Sequence, residues 1–122
     1  MAYDNENIFA KILRGEIPCD KVYEDDHALA FRDINPQAPV HVLVIPKGAY
    51  VNTDDFSAKA SDAEIAGYVR AIGLVARELG VVDAGFRTVA NNGPDAHQEV
   101  PHFHTHIFAG PGLGHMIKRF KN

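Results

Sequence analysis

Apolar residues recur along this chain at two spacings, and the switches between them mark out its elements. Ile8, Phe9, Ile12 and Leu13 form one stripe at helical spacing. They predict a first helix from Asp4 to Gly15, capped by Asp4 or Asn5, with Gly15 as the stop and Pro18 just beyond. Lys21 to Glu24 and Ala28 to Arg32 predict two short strands. The polar run Glu24-Asp25-Asp26-His27 turns between them, and His27 is expected to face solvent. Asp33 to Pro39 is a rigid connection with two prolines. Val40 to Ile45, closed by Pro46, is apolar on both faces and belongs in the middle of a sheet. His41 is its polar exception. Asp54 to Ala60 reads as a polar linker with a short turn. Ser61-Asp62-Ala63-Glu64 is a capping box opening a long helix that Gly80 ends. Its apolar stripe is Ile65, Val69, Ile72, Ala76 and Leu79, with Tyr68 and Val75 on the flanks. Such a helix covers one face of the sheet. Gly85 to Asn91 predicts another strand, and Asn91 to Pro101 is a loop rich in turn formers.

That loop runs into His102-Phe103-His104-Thr105-His106-Ile107-Phe108, a predicted strand with a histidine at every second position. Alternate side chains of a strand share a face, so three imidazoles would line one side over about 13 Å while Phe103 and Thr105 look the other way. Helix, strands, helix, strands implies an α+β fold: a largely antiparallel sheet with two helices, in one domain over residues 1–122. The tail from Gly110 is irregular, and its basic end, Lys118-Arg119-Phe120-Lys121, reads as a solvated terminus.

Composition narrows the chemistry. At 122 residues, 46% hydrophobic and 23% charged, the chain is of ordinary globular type. A net charge of −4 argues against general nucleic-acid binding, yet leaves room for a mononucleotide. The single cysteine, Cys19, excludes an internal disulfide and a Cys-x-x-Cys zinc site. No stretch is apolar for long enough to span a membrane. The polar start, Met1 to Glu6, is unlike a secretory signal, so a cytoplasmic protein is expected. There is no Gly-rich phosphate loop.

The histidine strand, with Asn91 and Gln98 upstream, resembles the motif of the histidine triad (HIT) family. Gly15-Glu16-Ile17-Pro18, Phe31-Arg32-Asp33-Ile34-Asn35-Pro36-Gln37-Ala38-Pro39 and His41-Val42-Leu43-Val44-Ile45-Pro46-Lys47 are similar to its nucleotide-binding Hint branch. The resemblance implies a homodimeric α+β protein that binds purine mononucleotides such as AMP or GMP. It further implies hydrolysis of nucleoside phosphoramidates or acyl-adenylates through a nucleotidyl-histidine, with no cofactor. On the matching positions His104 is the nucleophile, and His106 contacts phosphate and assists the leaving group. His102 and His41 support the pair, joined to each other. Asp33 holds the ribose and Asn91 orders the phosphate end, beside Gln98 and Glu99. Ile8, Phe9, Ile12, Phe31, Ile34 and Leu43 make the base pocket. Three departures stand out: Glu99 replaces a usual serine, Thr105 replaces an apolar residue and is expected to be less buried, and the tail carries no tryptophan.

The residues suit that chemistry independently. An imidazole with a pKa near 6.5 is largely neutral and nucleophilic at pH 7. It also leaves phosphorus readily enough for a phosphohistidine to turn over. The alternatives are a dinucleoside polyphosphate hydrolase, a nucleotide or protein-binding module with little turnover, and a metal-dependent enzyme. No metal is expected, because the three histidines spread along a strand and the acidic neighbours expected are only Asp95 and Glu99. A two-fold dimer is expected, with Tyr68 and Val75 left uncovered in a monomer.

Overall fold

The computed structural model of the protein describes residues 2–117, 119 and 120. Five strands form one antiparallel sheet: β1 (Lys21–Glu24), β2 (Ala28–Arg32), β3 (Val40–Pro46), β4 (Phe86–Val89) and β5 (Thr105–Ala109), in the order β1-β2-β3-β5-β4. Three helices accompany it: α1 (Ile8–Leu13), α2 (Thr53–Lys59) and α3 (Asp62–Glu78). No helix among the described residues is long and apolar enough to cross a membrane. Of the tail's basic end, Lys118 and Lys121 lie outside the described residues.

Alternation along the central strands sorts the core into two layers. Ala28, Ala30, Val42, Val44 and Ile107 face α3, where they meet Tyr68, Ala71, Val75, Phe56 and Phe103. Leu29, Phe31, Leu43 and Ile45 face the other way and pack with Phe9 of α1. His41 and His106 belong to that second face.

Several expectations change. The first helix is shorter than Asp4–Gly15, because buried Asn7 takes the cap: its side chain accepts from Ala10 N and donates to the Asp4 carbonyl. The expected linker 54–60 is mostly helix α2, capped by Asn52, and it plants Phe56 in the core. The capping box of Ser61 and Glu64 forms as expected. The buried face of α3 is rotated from the expected stripe, to Tyr68, Ala71, Val75 and Ala76, while Val69 is 62% exposed. Tyr68 wins that place because its hydroxyl donates to the Val44 carbonyl at 2.7 Å and meets Thr105 Oγ1 at 2.8 Å. Thr105 is therefore buried and satisfied, and Tyr68 and Val75 are not left uncovered. His27 is only half-buried solvent-side; its ring rests on Gly67 of α3, where a side chain would collide.

The strand expected at His102 begins only at Thr105. Extending the register would set Ile45 opposite His104 and Pro46 opposite Phe103, yet pairing stops at Val44 and Thr105. Phe103 N donates instead to the Tyr50 carbonyl, and the His102 ring takes the Pro46 carbonyl.

Candidate active site

One cavity of about 630 Å³ opens between α1, the ends of β2 and β3, and the loop before β5. That volume suits a mononucleotide-sized ligand. Its apolar wall carries Ile8, Phe9, Ile12, Phe31, Ile34 and Leu43, and its polar wall Asp33, Asn91, Glu99, His104 and His106. Phe9, Phe31 and Leu43 are buried, whereas Ile34 is 88% exposed at the rim. His102, His41 and Gln98 are not on the cavity wall. Gln98 spends its side chain on backbone: its Nε2 donates to the Val51 and Val100 carbonyls, and its Oε1 accepts from Gly93 N. It holds the loop shut rather than facing a ligand.

The hydrogen bonds assign each imidazole a tautomer. A carbonyl oxygen can only accept and a backbone N–H only donate. His104 Nδ1 lies 2.7 Å from the His102 carbonyl, so it is the protonated nitrogen and Nε2 keeps its lone pair. Gln37 N donates to His41 Nδ1 at 3.1 Å, so His41 carries its proton on Nε2. That N–H faces His106 Nδ1 at 2.9 Å. His106 Nδ1 therefore accepts, and its proton sits on Nε2. Two rings whose centroids are 5.1 Å apart thus present opposite chemistry: a nucleophilic nitrogen on His104 and a donor on His106.

The register builds this pair. His41 stands opposite Phe108, and Leu43 opposite His106, so His41 and His106 are diagonal neighbours on one face. Phe108 stacks on His106 with rings 6° from parallel and fixes its plane. Phe9 meets His104 edge-on at 5.0 Å. His102 is fully buried and does not reach His41 as expected; Tyr3 donates to its Nδ1 at 2.6 Å and its Nε2 donates to the Pro46 carbonyl. His102 serves His104 through its backbone carbonyl, not its ring.

Burial governs the charge of all four rings. It pushes His102 down to about 4. It pushes His106 down to about 4 as well, helped by His104 and His41. It lowers His104 against the pull of its carbonyl bond, Asp33 and Glu99, and lowers His41 against the pull of Asp33. The site is accordingly a set of neutral imidazoles at pH 7.

Asp33 is nearer this set than the sequence suggested. Its Oδ2 lies 3.5 Å from His41 Nε2, and its Oδ1 accepts from Asn35 N. Asp33, His41 and His106 offer three ligand atoms within 4.8 Å of one another. They do not fit a resident metal, because the His41 and His106 nitrogens already satisfy each other and no buried side-chain polar atom among the described residues lacks a partner. An ion would first have to displace the proton between them.

Sequence reasoning passed over Arg87, His97, Leu113 and Met116, which also line the cavity. Arg87 could have been found from alternation, two residues before Val89 on β4. His97 sits in the left-handed region at φ 57°, the one non-glycine residue with positive φ among the described residues. No local pattern signals the tail residues; Arg87 draws the tail in by donating to the Gly114 carbonyl.

Comparison with known proteins accounts for the arrangement. The HIT domain family matches residues 14–112. An uncharacterized HIT-like protein of Azospirillum brasilense is 65% identical over 117 residues, covering 96% of each chain. The purine nucleoside phosphoramidase of Escherichia coli (strain K12) is 41% identical over 112 residues, covering 92% of this chain and 93% of its own. The solved structure of a HIT family hydrolase from Clostridium thermocellum superposes with a TM-score of 0.84 at 37% identity, covering 94% of this chain and 99% of that one. A histidine pair set by an antiparallel register, in a chain that matches these proteins nearly end to end, means that this protein belongs to the HIT domain family.

Proposed function

We propose that this protein is a purine nucleotide-binding hydrolase that cleaves nucleoside 5′-phosphoramidates or acyl-adenylates through a nucleotidyl group on His104. The observation that carries the reading is the tautomer pair: His104 Nε2 with a lone pair beside His106 Nε2–H on the wall of one cavity. The base would enter the apolar slot under Phe9 and Phe31, and Asp33 would accept from the ribose hydroxyls.

In the reaction His104 Nε2 attacks phosphorus and the bond from phosphorus to the leaving atom breaks. The His41–His106 pair takes up one proton with the anionic substrate, beside the Asp33 carboxylate, and His106 passes it to the leaving nitrogen, which departs as the amine. Water then attacks phosphorus, the bond to His104 breaks, and the water's proton returns to His106. Positioning and a mobile proton supply most of what such a transfer needs.

A two-fold dimer belongs to the same reading. Edge strand β4 and the exposed Val69 of α3 border an apolar groove that includes Ile65, Ile72 and Val89. Sedimentation at micromolar concentration checks it, and a monomer alone refutes it.

His104→Ala tests the chemistry. It should abolish hydrolysis of an adenosine phosphoramidate while AMP binding stays within a few-fold. Denaturant quench and mass detection should find the wild-type adduct on His104. Near wild-type turnover in the variant, or an adduct on His102 or His106, overturns the proposal.

A further inference from the structure

We infer that Tyr3 is a positioning residue for His104: its hydroxyl fixes the buried His102 ring, and that ring anchors the carbonyl that accepts from His104 Nδ1. The inference rests on the hydrolase reading above and adds to it a residue that does not line the cavity.

The carbonyl that orients His104 lies outside the sheet, because β5 starts only at Thr105. A peptide unit is planar, so the His102 carbonyl and the Phe103 N–H move as one plate. One edge of that plate is tied to the Tyr50 carbonyl at 2.7 Å, and the other accepts from His104 Nδ1 at 2.7 Å. Its His102 end is held through the side chain. That ring is fully buried, its Nε2 donates to the Pro46 carbonyl, and its Nδ1 therefore needs a donor. Tyr3 supplies one at 2.6 Å, from 99 positions away in the chain. The turn ahead of α1 keeps Tyr3 in place: Asn7 donates to the Asp4 carbonyl from both its backbone and its side chain. Phe9 of α1 packs edge-on against the rings of both His102 and His104.

Without the Tyr3 hydroxyl a fully buried nitrogen of His102 has no donor, which is costly. The ring can recover a partner only by turning or by leaving the Pro46 carbonyl, and either motion tilts the plate that it anchors. Among the described residues the His102 carbonyl is the one hydrogen-bond partner of the His104 ring. Once that carbonyl moves, nothing keeps the His104 proton on Nδ1. The other neutral tautomer carries its proton on Nε2 and has no lone pair there with which to attack phosphorus. Removing the Tyr3 hydroxyl therefore acts on the attacking nitrogen while the base slot and Asp33 are left as they were.

Tyr3→Phe tests this, since it keeps the aromatic ring and removes only the hydroxyl. The single-turnover rate with a saturating adenosine phosphoramidate should fall about tenfold, the effect of a slightly misplaced reacting group, while AMP affinity stays within about twofold. Nitrogen NMR of the His104 ring at pH 7 should find the proton on Nδ1 in the wild type and shared between Nδ1 and Nε2 in the variant. In a His102→Leu background the hydroxyl has no ring nitrogen to meet. There Tyr3→Phe should change neither the rate, by more than about twofold, nor the ring spectrum. A wild-type rate in Tyr3→Phe, a rate loss matched by an equal loss of AMP affinity, or an unmoved His104 proton overturns the inference. So does an equal loss from Tyr3→Phe with and without His102. A wild type that hydrolyses no phosphoramidate overturns the hydrolase reading instead, and the NMR comparison still decides whether Tyr3 fixes the His104 proton.

Discussion

Lowering the pH from 7.5 to 5 should cost this protein a substantial part of its stability through its buried histidines. His102 has an ordinary pKa of 6.5 when exposed, and about 4 in its buried place between Tyr3 and the Pro46 carbonyl. Its folded pKa is depressed, so the unfolded chain binds the proton first, and stability falls as pH drops through the window from 6.5 to 4. At pH 5 the difference amounts to about 2 kcal/mol for His102. His106, also held at about 4, adds a smaller share because it is half-buried and partly screened, for a total of about 3 kcal/mol. Burial moves His41 and His104 in the same direction. The carboxylates with shifted values, Glu24, Asp25, Asp55 and Glu64 among them, are all held below their ordinary range, so they do not drive a loss of stability between pH 7.5 and 5. A domain of this size has about 5–15 kcal/mol to lose, so the effect is large. Urea melts at fixed protein concentration measure it: with a slope of about 1–3 kcal/mol per molar, the midpoint should fall by about 1 M or more. A midpoint at pH 5 equal to that at pH 7.5 would refute the assignment of neutral, charge-averse imidazoles on which the catalytic reading depends.

Three further outcomes follow from single contacts. Gly67→Ala would place a methyl 2.9 Å from His27 Cβ and closer still to its ring, so thermal melts should show a loss of about 1–3 kcal/mol. Adding His27→Ala should recover most of it, since alanine is the better helix former by about 1 kcal/mol; no recovery would mean the ring is not the obstacle. Tyr68→Phe strips the buried Thr105 hydroxyl of its partner and should cost about 1–3 kcal/mol, and the double variant with Thr105→Val should lose less than the two single losses added together. Additive losses in denaturant melts would show that the pair is not coupled. Asp33→Ala should weaken AMP binding by about 1–3 kcal/mol in a calorimetric titration, and equal affinities would reduce Asp33 to the turn residue that its bond to Asn35 N also makes it.

Much of the framework was legible because it rests on local rules. The bounds of β1 and β2 follow from a polar turn between apolar runs, β3 from residues apolar on both faces, and the start of α3 from a capping box. What escaped depends on partners distant in the chain. Tyr68 displaced Val69 from the core because its hydroxyl meets two partners, 24 and 37 residues away: the Val44 carbonyl accepts from it and the Thr105 hydroxyl donates to it. His102 left the histidine row because Phe103 N turns to the Tyr50 carbonyl and the His102 ring to the Pro46 carbonyl, so pairing with β3 stops at Thr105. The candidate site shows the same limit more sharply. Alternation correctly puts His104 and His106 beside each other on the cavity wall, and it marks His41 as a polar exception in a buried strand. Yet two histidines with that spacing are chemically equivalent in a sequence. They come to present a lone pair and an N–H only because one Nδ1 meets the His102 carbonyl and the other meets His41, which is itself turned by the Gln37 amide. Both orienting groups at the ends of those chains are backbone, so no side-chain pattern encodes them. The division of labour between the two rings is therefore a property of strand register and loop path, and it would survive changes to many side chains while failing with a one-residue slip of β5 against β3.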